Sequence, residues 1–179
     1  MAKAKPGALN YGSGGTGSSI HLAVELFKQK AGVDITRIAY KGAGPAMNDL
    51  LGGQIAMLMA TPTAFVQHIR SGRLKAIAVT SAKRFQTMPD VPTLAENGIK
   101  DAESLVWFGR DGPLKLPRAI VDTLNREVNR ALTLPDVRKR LDELGLEIQG
   151  GSPEDMNKFV KSEIAKIERL VKTGYLKVE

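Results

Sequence analysis

Between residues 8 and 80 the chain alternates short apolar runs, glycine-marked turns and helix-like stretches, and this alternation narrows the folds open to it. Ala8–Tyr11 reads as the end of a strand, followed by the loop Gly12-Ser-Gly-Gly-Thr-Gly-Ser-Ser19. Ser19–Ala31 carries Ile20, Ala23, Val24 and Phe27 at helical spacing, with Gly32 as a stop. Asp34–Tyr40 predicts a strand through β-branched Ile35, Thr36 and Ile38. Pro45–Leu51 predicts a short helix with proline in its first turn, ending at Gly52-Gly53. Ile55–Met59 is a continuous apolar run, the pattern of a strand buried on both faces. A helix over Pro62–Arg70, a stop at Gly72 and a strand over Leu74–Thr80 complete the series. Such alternation predicts an α/β fold, a parallel-dominated sheet with helices on both faces.

The remainder is helix-heavy. Ser81–Pro92 is polar and proline-punctuated, a connection, and Ser104–Phe108 predicts a strand, with Trp107 packing in a core, or partly so at a lobe junction. Helices are expected over Arg118–Leu132 and Asp136–Leu144, then a short strand over Leu146–Gln149. The last helix is the best defined. Ser152 suits an N-cap, Pro153 the first position, and Glu154 and Asp155 the positive helix end. Phe159, Val160, Ile164, Ile167 and Val171 line one of its faces, and Gly174 ends it. This half looks like a piece of a lobe.

Charge and chemistry remove several function classes. There are 12 basic against 7 acidic residues up to Leu105, and 14 against 12 beyond it. The basic residues are scattered, and aromatics make up only 5% of the chain, so a base-stacking nucleic-acid platform is not expected. A mild positive field does suit a small anion. With no cysteine there is no disulfide framework, thiolate metal site or thiol nucleophile. No apolar run is long enough to span a membrane, and the opening Met1–Gly7 lacks the apolar core of a secretory signal. His21 and His68 each sit in an expected helix with no partner at metal-ligand spacing, and His21 reads as a packed, hydrogen-bonded residue. Met47, Met57, Met59 and Met88 read as core fillers. No catalytic constellation, metal site or cofactor is expected.

The loop after the first strand is the most informative stretch. Glycine lets a backbone approach a ligand closely, and a helix N-terminus offers unpaired N–H groups and a positive dipole. Gly14, Gly15 and Gly17, with hydroxyls from Ser13, Thr16, Ser18 and Ser19, make a cradle for a carboxylate or phosphate. Gly12, Gly14 and Gly17 have the spacing of a dinucleotide fingerprint, but the acidic residue expected at the end of the next strand is replaced by Tyr40-Lys41. Gly12 and Gly17 also have the spacing of a P-loop, yet Ser18-Ser19 follows where a lysine is needed. A second junction of the same kind contains Lys41, Gly42, Ala43, Pro45 and Ala46. Thr61 marks a third, and Thr80 a fourth. Ligands of open α/β sheets bind beyond the carboxyl ends of the strands, where these junctions would gather.

The stretches Asn10-Tyr-Gly-Ser-Gly-Gly-Thr-Gly-Ser18 with His21-Leu22, Tyr40-Lys-Gly42, Asp49-Leu-Leu-Gly-Gly-Gln54 and Gly72-Arg-Leu-Lys-Ala76 carry a resemblance. It continues through Ala78-Val-Thr80, Arg84, Pro89-Asp-Val-Pro-Thr93, Glu96, Gly98 and Trp107-Phe-Gly109. Together they resemble the Bug-type substrate-binding receptors of tripartite tricarboxylate transporters. The resemblance implies a periplasmic-binding-protein-like (type II) clamshell in the periplasm. It implies a small carboxylate as ligand (a di- or tricarboxylate, acidic amino acid or aromatic carboxylate), delivery to membrane permease subunits, and no catalysis. Residues 1–105 would be the second lobe, incomplete at its start, and 106–179 the returning part of the first. Members of that family are longer and begin with an export signal, so the chain looks like a C-terminal fragment. Such a fragment would bind weakly and tend to form homo-oligomers through open sheet edges. Where the family often has Asp after Gly-Gly-Gln-Val, this chain has Ala56. Two other readings stay open: an enzyme or regulator binding a phosphorylated small molecule at the glycine loop, and an interaction protein with no small ligand.

Overall fold

The computed structural model describes residues 2–85, 88–144 and 146–176. The chain divides into two compact units, Met1–Val106 with Ile167–Glu179, and Trp107–Lys166.

The first unit is organised on three parallel strands, β1 (Asn10–Ser13), β2 (Thr36–Ala39) and β3 (Met57–Leu58), in the order β2-β1-β3. Between them run α1 (Ser19–Ala31) and α2 (Ala43–Leu51), and α3 (Pro62–Arg70) follows β3. Successive strand residues face opposite sides of a sheet, and the two central residues of β1 show what each side wants. Tyr11 is fully buried against Val24 of α1 and Ile35, with Phe27, Val33 and Met57 packed around them. Its neighbour Gly12 faces α2: a Cβ there would lie 2.9 Å from the Ala46 Cβ and 2.8 Å from the Ile55 Cδ1. Glycine is what lets α2 sit this close. One helix therefore covers each face of β1, and burial of a side chain such as Val24 stabilises the arrangement by about 1.5–3 kcal/mol.

The caps explain where α1 begins and ends. The Ser18 hydroxyl accepts from the His21 N–H at 3.2 Å, and Gly32, at φ 61°, returns its N–H to the Lys28 carbonyl. The polar end of Tyr11 is satisfied as well. Its hydroxyl donates to Glu25 Oε1 at 2.6 Å, and Lys28 Nζ reaches the same oxygen at 3.0 Å. Burial, then the Glu25 carboxylate, pushes the Tyr11 phenol far above its ordinary value.

Several expectations need correction. β1 starts two residues later than expected and includes Gly12 and Ser13, which the sequence places in the loop. α2 starts at Ala43, so Pro45 is its third residue. The third strand shrinks to Met57–Leu58, both only half-buried. Leu74–Thr80 is no strand: Val79 makes one isolated parallel bridge to Thr93, its N–H donating to the Pro92 carbonyl and its carbonyl accepting from Leu94. Those local bonds take the groups a ladder with β3 would use, and Ile77 is left 74% exposed.

In the second unit, α4 (Arg118–Ala131) and α5 (Pro135–Glu143) are joined by a tight turn, and α6 (Pro153–Lys172) begins here. The start of α6 is a reciprocal cap: Ser152 Oγ accepts from the Asp155 N–H at 3.1 Å, while Asp155 Oδ2 accepts from the Ser152 N–H at 3.1 Å. Asn129 fixes that cap to α4, donating to the Gly151 carbonyl and accepting its N–H. Two expected strands are missing. Ser104–Phe108, which spans the division between units, leaves Leu105, Val106 and Phe108 exposed, and Leu146 sends its N–H back to Leu141 to close α5. A strand needs a ladder of backbone partners; in the first segment only Ser104 finds one among the described residues, its N–H donating to the Thr80 carbonyl at 3.1 Å, and the second turns back on α5. Trp107 is partly packed, 40% exposed and edge-on to Phe159 at 5.4 Å. On α4, Ile120, Leu124 and Val128 form an exposed stripe.

Candidate functional site

Because β1, β2 and β3 are parallel, the loops leaving them open on one edge of the sheet. The Tyr40 N–H donates to the Ser13 carbonyl at 2.8 Å, so the exit of β2 is tied to the end of β1. The two turns touch: a Cβ on Gly14 would lie 3.7 Å from the Gly42 Cα. Thr61, after β3, opens α3 on the same edge, its hydroxyl 3.1 Å from that of Thr63. The Thr80 hydroxyl is committed, donating to the Ser104 carbonyl at 2.7 Å.

Within the first turn the donors divide into used and unused. The Gly17 N–H donates to His21 Nδ1 at 3.1 Å and the Ser18 N–H to the Gly15 carbonyl at 3.3 Å. The N–H groups of Gly14, Gly15 and Thr16 have no acceptor among the described residues. Ser13 is fully buried, and its hydroxyl accepts from Arg37 Nε at 3.0 Å. Ser18 is committed as the cap of α1, whereas Ser19 and Thr16 are exposed. In the second turn Gly42 caps α2 with no side-chain acceptor, leaving the first N–H groups of that helix open. Gly42 has φ 133° and ψ −179°, a conformation essentially restricted to glycine. Lys41 is exposed and pairs with no carboxylate among the described residues, while Ala46 is buried as the packing contact of α2 and Pro45 is exposed. Tyr40 anchors the turn from below, its hydroxyl donating to Asp49 Oδ2 at 2.7 Å, which raises its own pKa.

The model of the family described as "Tripartite tricarboxylate transporter family receptor" matches residues 1–176. The chain belongs to that family. Its similarity to other members runs through both units. It is 39% identical over 171 residues to a UPF0065 protein of Pseudomonas sp. strain P51, covering 95% of this chain and 51% of that one. A solved structure, an R. palustris protein with adipate, is 38% identical with a TM-score of 0.83, covering 96% of this chain and 57% of that one. MatC from Rhodopseudomonas palustris with bound malate is 33% identical with a TM-score of 0.73, covering 91% and 56%. The chain spans about half the length of most of the curated relatives it matches.

In this receptor-family chain the sequence missed one side chain at the edge: Arg37. It sits on β2 directly opposite Tyr11 of β1 and therefore on the α1 face. From there Nη2 donates to Thr16 Oγ1 at 3.0 Å and Nη1 lies 3.4 Å from His21 Nε2. The available signal was a lone cation inside the β-branched run from Ile35 to Ile38. Among the described residues, no group of three His, Cys, Asp or Glu could hold a metal ion, and no helix is long and apolar enough to cross a membrane.

His21 bears out its expected structural role: it is 4% exposed, and its Nδ1 accepts from the loop. Burial, then Arg37 and Lys28, lower its pKa against the opposing pull of Glu25. An imidazolium would also turn a donor toward the Gly17 N–H. The folded chain thus takes up this proton less readily than the unfolded chain, whose histidine titrates near 6.5. The stability linked to His21 is complete above that value and is lost as pH falls through the lower folded-state pKa. Melting temperature should drop between pH 7 and pH 5. His21→Asn, which keeps an acceptor but does not titrate, should flatten the part of that drop due to this residue; a drop of unchanged size in the variant would exclude the linkage.

Proposed function

We propose that the chain provides one ligand-binding wall of an extracytoplasmic receptor for a small carboxylate, delivered to the membrane subunits of a tripartite tricarboxylate transporter. On this reading the protein works in the periplasm and makes or breaks no bond. Residues 1–105 act as the second lobe and 106–179 as the returning part of the first. One observation carries the proposal. Two touching turns at one sheet edge offer uncommitted N–H groups from Gly14, Gly15 and Thr16 and from the start of α2, beside cations Lys41 and Arg37 that pair with no carboxylate among the described residues. Oriented backbone donors with nearby positive charge favour a compact anion. A dicarboxylate fits better than a phosphate, because the lysine of a phosphate loop is replaced by Ser18. Adipate and malate in the two family structures are of this class.

Thermal-shift titration with adipate, malate, citrate and glucose 6-phosphate tests the reading. A ligand at a hundred times its Kd adds about 2.7 kcal/mol, or roughly 5–10 °C for a chain of this length. A dicarboxylate or tricarboxylate should produce that shift and the sugar phosphate should not. Stabilisation by the sugar phosphate alone would favour the phosphorylated-ligand reading and overturn this one.

A further inference from the structure

We propose that Arg37 is a positioning residue for the glycine-rich turn: its guanidinium fastens the end of β1 to the turn in the one conformation that leaves the Gly14–Thr16 N–H groups facing outward. The proposal deepens the carboxylate-receptor reading and rests on it for the ligand.

Two hydrogen bonds from one side chain support it, with His21 close beside the third nitrogen. Nε donates to the buried Ser13 hydroxyl at 3.0 Å, Nη2 donates to Thr16 Oγ1 at 3.0 Å, and Nη1 lies 3.4 Å from His21 Nε2. Ser13 and Thr16 come from the strand and the turn, and both are held from β2. His21 Nδ1 accepts the Gly17 N–H at 3.1 Å, so the neutral ring carries its proton on Nε2 and lies beside the guanidinium without accepting from it. A planar fork with fixed donors can hold two hydroxyls at once; a lysine ammonium on a flexible stem cannot hold the same geometry.

The location has no simpler account. A cation near a helix N-terminus opposes the helix dipole, and the first turn of α1 contains no acidic residue to offset it. Arg37 also forms no ion pair among the described residues. A guanidinium held there without a carboxylate adds positive potential behind the turn, which an arriving carboxylate would neutralise. Arg37 is half-buried and lines a cavity of about 950 Å³ together with Thr16, His21, Glu25 and Lys28. Replacing it therefore removes little core packing.

The experiment compares wild type, R37M, R37K and T16V by amide hydrogen exchange without ligand and by calorimetry with adipate and malate as probes. R37M is expected to speed exchange at Gly17 and Ser18, the hydrogen-bonded amides of the turn, at least tenfold and to weaken probe binding at least tenfold. R37K, which keeps the charge but not the fork, should recover less than half of either effect. T16V cuts one contact without touching the charge and should speed exchange at the turn even if R37M does not fold. Unchanged exchange in R37M or T16V, or full recovery by R37K, would overturn the proposal. If neither probe binds wild type while exchange still speeds in R37M and T16V, the positioning role holds and the carboxylate reading fails for these probes.

Discussion

Gly12→Val is expected to destabilise the first unit by about 3 kcal/mol, the upper end of the usual cost of overpacking. The reason is geometric. Even a Cβ at this position would lie 2.9 Å from the Ala46 Cβ, an atom fixed to the backbone of α2, and 3.3 Å from the Tyr40 ring. The Ile55 Cδ1 at 2.8 Å can swing aside, but α2 cannot retreat without pulling Ala46, Met47 and its N-terminal turn off the sheet. Valine adds two methyl groups to that conflict. Since domains are stable by only about 5–15 kcal/mol, the loss should be plain as a lower urea midpoint. Gly12→Ala should fall between wild type and valine. An unchanged midpoint for the valine variant would mean that α2 does not pack on β1 as described.

The second large effect is expected at Gly42. At φ 133° and ψ −179° a side chain strains the backbone by about 1–3 kcal/mol, although no heavy atom lies within 4 Å of the added Cβ. Relief of that strain would rotate the peptide that introduces α2 and with it the open N–H groups of the helix start. Gly42→Ala should therefore lose carboxylate affinity by at least tenfold, with two contacts of about 1.5–3 kcal/mol each at stake. The two variants separate packing from site geometry: Gly12→Val acts first on stability, Gly42→Ala first on binding. Equal adipate affinity in Gly42→Ala and wild type would remove the second turn from the site.

What the sequence could convey depended on how local the cause was. The bounds of α1 were legible because Ser18 and Gly32 act within the helix itself, through a hydroxyl cap and a left-handed turn. The neighbouring exits of β1 and β2 followed from alternation and the right-handed crossover it requires. Strands were less legible, because a strand exists only with a partner. Leu74–Thr80 has the apolar residues of a strand, yet Val79 bonds to Pro92 and Leu94 instead. The Thr80 hydroxyl is spent in the same region, on the Ser104 carbonyl. Within the site, Gly14 and Thr16 stand where the loop chemistry put them, whereas Ser13 and Ser18 are spent on structure. Arg37 escaped notice because its partners Ser13 and Thr16 are 24 and 21 residues away and only the register of β1 and β2 aligns them.

The most direct test of the central claim is a titration of the isotopically labelled chain with adipate, followed through its backbone amide resonances. The account predicts the largest shifts at Gly14, Gly15, Thr16, Ala43 and Gly44, saturating together, with little change at Ser81 or Ser104. Shifts centred away from the two turns, or confined to one of them, would contradict it.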